Sequence, residues 1–170
     1  YRPDLQAIAV VGDFDVDQME KKVKELFSKI PTPVNPAKRE NFTVNPHDEI
    51  YFVCATDKEL TQSSVSVYIK YPAPTKEEKN HQYMKNGILQ SFYNTMLGQR
   101  VSELLQKGNP PFISAQAGFG GNIVRGWNTY IISTTAKPNE EAGALEAIYR
   151  ENERVKKFGF TEGELERAKT

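Results

Sequence analysis

The 170-residue chain carries 38% hydrophobic and 26% charged residues, enough for one globular domain with a sizeable core and cramped for two. Its 22 Lys and Arg balance 22 Asp and Glu, and no basic run interleaves with aromatics, which argues against a nucleic-acid partner. No apolar stretch approaches the ~20 residues that span a bilayer, and the one cysteine, Cys54, excludes an internal disulfide and a thiolate metal cluster.

The chain opens on the turn-like Tyr1-Arg2-Pro3-Asp4, then an apolar run over 5–11 ends in Gly12-Asp13 and reads as a buried strand. No start Met, charged leader or polar arm precedes that run, so the expectation is a piece of a longer polypeptide. Asp13, Asp15 and Asp17 stand where a helix begins, and Met19, Val23, Leu26, Phe27 and Ile30 recur at helical spacing up to Pro31. Residues 31–47, rich in Pro and Asn and without a period, read as an extended connector between compact bodies.

Beyond the connector, "IYFVCAT" and "SSVSVYIKYP" are two predicted strands joined by the charged turn "DKELTQ", most simply as an antiparallel hairpin. Cys54 lies in the first of them, where a small buried hydrophobe is expected. A long helix is predicted over 76–108, with Met84, Ile88, Phe92 and Met96 in an i, i+4 row beside Leu89, Tyr93, Leu97, Val101 and Leu104. Gly87 and Gly98 inside it imply close packing or a break. Strands over 112–119 and 127–136 flank a glycine-rich reversal, "GFGGN". A helix begins at Pro138-Asn139-Glu140-Glu141 and closes at Gly159, and Thr161 with Glu164 forms a capping box for a last one. The order βα-linker-ββαββαα implies an α+β fold of two layers, an antiparallel or mixed sheet with helices on one face.

Chemistry is sparse along this path. His47 and His81 are lone histidines with no HxxEH, HExxH or i, i+4 partner, so a solvated or capping role is expected and no metal site. There is no GxSxG elbow, and "GFGGN" lacks the lysine and the strand-to-helix context of a phosphate loop. The acidic clusters Glu77-Glu78, Glu140-Glu141 and Glu162/Glu164/Glu166 sit at helix starts, where they complement the dipole. No reaction carried out by this chain alone is legible, and no catalytic residue is assigned.

Three separated stretches carry a family likeness. "YRPDLQAIAVVGDFDVDQMEKKVKELFSKIP", "LGQRVSELLQKGNPPFISAQAGFG" and "FTEGELERAK" together resemble the pitrilysin/insulinase family of zinc metallopeptidases, which includes the mitochondrial processing peptidases. The resemblance implies the metallohydrolase fold of that family. Residues 1–30 would be the closing strand and helix of a preceding zinc domain, 31–47 the linker, and 48–170 a zinc-free second domain that stops short of its own last strand and helix. The 5–30 segment would then fill that vacancy, within the chain or swapped between two copies.

The resemblance also implies that zinc, held by HxxEH and a downstream Glu, belongs to the upstream domain of the same polypeptide and not to this chain. The partner implied is a peptide or unfolded polypeptide, hydrolysed upstream. Where many members lend an Arg and a Tyr to the site from a later domain, this chain has Gln106 and Phe112 or Ile113. Relatives of the insulin-degrading type receive a substrate terminus on the strand after the long helix, and the matching residues are Ser114, Ala115, Gln116, Ala117 and Gly118. Small side chains on an edge strand suit that role; an interior strand would exclude it. The alternative is a scaffold subunit of the same fold without protease activity. A bacterial periplasm or cell envelope is the location implied by resemblance alone.

Overall fold

The computed structural model describes residues 2–40, 42–106 and 108–169. It divides into two compact units, Tyr1–Phe42 and Thr43–Thr170, and the division falls inside the 31–47 connector.

In the first unit Pro3–Leu5 forms a 3-10 turn. The Arg2 guanidinium beside it donates to the Ala37 carbonyl at 2.6 Å and pairs with Asp4 at 3.1 Å. Residues 6–11 form no regular element and join no sheet, so the strand read over 5–11 is not formed here. An extended run becomes a strand only with a ladder partner, and so short a unit supplies none. Helix α1 (Val16–Phe27) follows, capped by the Asp15 carboxylate, which accepts the Gln18 N–H at 2.9 Å.

The second unit begins with an irregular approach in which the Trp127 indole donates to the Val44 carbonyl at 2.8 Å. The strand read in "IYFVCAT" is also absent: residues 50–56 belong to no regular element, and Ile50 and Phe52 are almost fully exposed. Two physical causes act together. "IYFV" is apolar on both faces, so no single face pins a register. The connector to the next strand is long, and Asp57 spends its carboxylate on the Glu59 N–H instead of closing a tight hairpin. Cys54 is accordingly a free, exposed thiol rather than a buried one.

Strand β1 (Ser63–Pro72) pairs instead with β3 (Trp127–Ala136), antiparallel, from Ser63↔Ala136 to Pro72↔Trp127. β2 (Phe112–Val124) takes the other side of β3, giving one three-stranded antiparallel sheet in the order β1-β3-β2. The glycine-rich stretch does not reverse the chain as expected. Its glycines carry β2 on to Val124 through register shifts around Gly120 and Asn122, which such residues tolerate. The reversal falls at Arg125-Gly126, where Gly126 adopts φ 87°.

Helix α2 (His81–Gln106) starts five residues later than its pattern, because Thr75 and Glu78 close a turn of their own. The Asn80 side chain then caps the helix, accepting from the Gln82 and Tyr83 N–H groups at 2.9 and 3.1 Å. Gly87 and Gly98 produce neither a break nor a tight contact: a Cβ at either would meet open space. Helix α3 (Glu141–Phe158) ends at Gly159, φ 69°, as its spacing implies. Helix α4 (Glu162–Lys169) carries the expected Thr161/Glu164 box.

The two layers meet in one cluster. Leu97 and Val101 of α2, Ala144, Ile148 and Val155 of α3, and Phe112, Ile132 and Ala136 of the sheet are buried together, the main source of stability in a unit this size. Only the second half of α2 is sealed in this way, since Met84, Ile88 and Leu89 remain exposed. No helix among the described residues is long and apolar enough to cross a membrane.

Candidate functional site

Ser114, Ala115, Gln116, Ala117 and Gly118 lie consecutively on β2, opposite Thr135, Thr134, Ser133, Ile132 and Ile131 of β3. Because the sheet order is β1-β3-β2, β2 is an edge strand, and its second side carries main-chain groups with no neighbouring strand. Alternation directs Ala115 and Ala117 toward the helices, where they pack on the core. Ser114 and Gln116 face the other way and are exposed.

One side chain reveals which backbone groups address the open side. Asn94, on α2, donates from Nδ2 to the Phe119 carbonyl at 2.8 Å and accepts the Phe119 N–H on Oδ1 at 2.8 Å. In an antiparallel ladder the N–H and C=O of one residue point the same way. Ala115, Ala117 and Phe119 therefore address the open side, and Ser114, Gln116 and Gly118 address β3. The Asn94 amide completes Phe119 as a neighbouring strand residue would. Gly118 makes room for it: a Cβ there would come within 2.4 Å of Asn94 Oδ1, at a φ of 154° that side chains rarely adopt.

This end of β2 is held by aromatics. Tyr93 sits edge-on to Phe119, Tyr130 and Phe160 at centroid distances of 5.2, 6.1 and 5.5 Å. Tyr130 donates to Asn152 Oδ1 and accepts from the Tyr93 hydroxyl at 2.8 Å, while Asn152 Nδ2 donates to the Ile148 carbonyl. Burial, then the hydrogen bond to Tyr93, pushes the Tyr130 phenol well above the ordinary tyrosine range, so that hydroxyl stays neutral. Below it, the Arg100 guanidinium grips the Glu164 carboxylate through two hydrogen bonds, one of them 2.8 Å, and covers the Phe160 ring at 4.9 Å. That guanidinium, helped by the Thr161 N–H and hydroxyl and opposed by burial, holds Glu164 at about 2.

A cavity of about 450 Å³ runs along the flank of α2 from Asn94 past Gly98 and Ser102 to Gln106, with Arg167 of α4 on its far side. A second, of about 610 Å³, is lined by the amides of Asn80, Gln82, Asn86, Gln90, Asn122 and Asn128.

The remaining predicted positions do not gather. Gln106 ends α2 in the first cavity, Phe112 is 1% exposed within the core, and Ile113 projects at the register shift. His47 donates from Nδ1 to the Glu49 carbonyl and lies against the Tyr51 ring at 4.3 Å. Among the described residues no three His, Cys, Asp or Glu side chains come together as metal ligands. Asn94 is the site residue that sequence reasoning passed over. Its helical row, Gln90, Asn94, Gly98, Ser102 and Gln106, is polar or small throughout, so nothing in the sequence set Asn94 apart.

The family model for the "Peptidase M16 inactive domain" matches residues 1–170. The probable zinc protease PqqL of Escherichia coli (strain K12) is 22% identical over the whole chain, which spans 18% of that protein. A chloroplastic stromal processing peptidase of Oryza sativa subsp. indica is 26% identical over 110 residues, 64% of this chain and 9% of the relative. Among solved structures, the periplasmic protease PqqL from Escherichia coli superposes with a TM-score of 0.72 at 20% identity, covering 93% of this chain and 17% of that one. A predicted insulinase family protease from Yersinia pestis gives 0.60 at 15% identity, with 92% and 33% covered.

Proposed function

The chain belongs to the family of M16 peptidase inactive domains, and from that premise we propose that it helps enclose and bind peptide substrate for hydrolysis by an upstream zinc domain of the same polypeptide. In this reading residues 1–30 close that upstream domain, 31–47 link, and 48–170 form the zinc-free wall of the chamber, with zinc held by the parent protein elsewhere. The observation that carries it is the open side of β2, where Ala115 and Ala117 offer N–H and C=O groups behind small side chains. Such an edge accepts an extended peptide through main-chain hydrogen bonds, which read no sequence and so suit varied substrates.

Titrating the 170-residue chain with an unstructured peptide while following amide NMR tests the proposal. The expected result is a set of shifts confined to β2 around residues 114–118, and their absence refutes it. Chelator-sensitive peptide cleavage by the longer polypeptide tests the parental activity separately. A scaffold role without proteolysis is favoured by one observation, the burial of Phe112, which removes that position from any catalytic contribution. A longer polypeptide that cleaves no peptide with zinc supplied decides for the scaffold.

A further inference from the structure

The open side of β2 is not uniform. Three residues, Ala115, Ala117 and Phe119, address it by the alternation of the ladder. Two of them carry no hydrogen-bonded cover among the described side chains, whereas Phe119 has both its N–H and its C=O taken by Asn94. An incoming strand would pair with the first two and meet a side-chain amide already seated where its next residue belongs. Asn94 is not loose there. It is partly buried, its helix packs along β2, and Gly118 leaves the space that its Oδ1 fills.

Resting on the reading of the β2 edge as a peptide-docking strand, we propose that Asn94 is a register stop. A docked peptide pairs with Ala115 and Ala117 and terminates before Phe119, so the stop fixes where along the edge the bound segment lies. An edge strand without such a stop lets an added strand slide by two residues and keep its hydrogen bonds, because the side-chain period is two. Asn94 removes that freedom at one end. It is a positioning residue, and its recognition is of main chain, so the ligand class is an extended polypeptide of any composition.

Two measurements on the 170-residue chain test this. In hydrogen exchange without peptide, the Phe119 amide exchanges slowly and those of Ala115 and Ala117 fast; Asn94→Ala makes Phe119 fast and leaves the other two unchanged. With a series of acetylated Ala/Ser/Val/Lys peptides, each one residue longer, the wild-type chain shows new protection at Ala115 and Ala117 only, and the Asn94 side-chain amide resonances stay in place. Residues added beyond the stop leave affinity unchanged. In Asn94→Ala the Phe119 amide joins the protected set, and the longer peptides bind between about twofold and tenfold tighter than the shorter ones.

If the spectrum of Asn94→Ala loses its dispersion, Asn94→Ser, too short to bridge both groups, replaces it with the same expectations. Peptide-induced movement of the Asn94 amide resonances, or a further slowing of Phe119 exchange in the wild type when peptide is added, overturns the stop while leaving docking intact. Shifts nowhere in 114–118 overturn docking and the stop together. An Asn94→Ala chain whose Phe119 amide stays slow overturns the seating of Asn94 itself.

Discussion

Gly118→Ala is the sharpest perturbation of this architecture. The new methyl would approach Asn94 Oδ1 to 2.4 Å, so the asparagine must leave Phe119 and forfeit both hydrogen bonds, about 2 kcal/mol together at the net value of such bonds. The backbone at φ 154° adds strain of about 2 kcal/mol once a side chain is present. The single variant should therefore lose about 4 kcal/mol in urea unfolding followed by circular dichroism. Asn94→Ala alone should lose about 2 kcal/mol, the hydrogen bonds without the strain. The informative chain is the double variant. With Asn94 already gone, the methyl added at position 118 costs only its strain, so the double variant should unfold at nearly the midpoint of Gly118→Ala, about 2 kcal/mol better than the sum of the singles. Additive losses would refute the claim that these two positions act through one contact.

Three further outcomes follow from the packing. The Glu164 carboxylate, lowered from 4.5 to about 2 chiefly by Arg100, contributes fully above the unfolded value and loses its contribution as pH falls toward 2. Wild type should thus lose up to about 3 kcal/mol more than Glu164→Gln between neutral pH and pH ~2 in matched urea melts. Gly87→Ala and Gly98→Ala, each opening onto free space within α2, should raise stability by up to about 1 kcal/mol apiece, and a loss at either would mean that a hidden neighbour occupies the site. Phe112→Tyr should cost about 1–3 kcal/mol by placing a hydroxyl in the core without a partner; a neutral result would move residue 112 out of the core.

What the residues disclosed in advance depended on whether the signal was local. The Thr161/Glu164 box and Gly159 at the end of α3 are rules of short range, and both are realised in place. The apolar runs over 5–11 and 50–56 looked just as persuasive, yet a strand is a relation between two segments, and neither run has a partner among the described residues. β1 found its neighbour in β3, far along the chain, not in the run beside it. The edge position of β2 is likewise a property of the sheet and leaves almost no mark on Ser114 or Gln116. Asn94 was hidden for a related reason: its partner is backbone, and backbone carries no letter in a sequence.

The pairing of Asn94 with the space above Gly118 also binds the histories of two distant positions. A lineage that replaces the asparagine removes the clash at 118 and leaves only the backbone strain against a larger residue there, whereas one that first enlarges the glycine evicts the asparagine and bares the strand. Inherited change at these sites should run in one order, the helix position before the strand position, and intermediates with a bulky residue at 118 facing an intact asparagine should be rare among descendants.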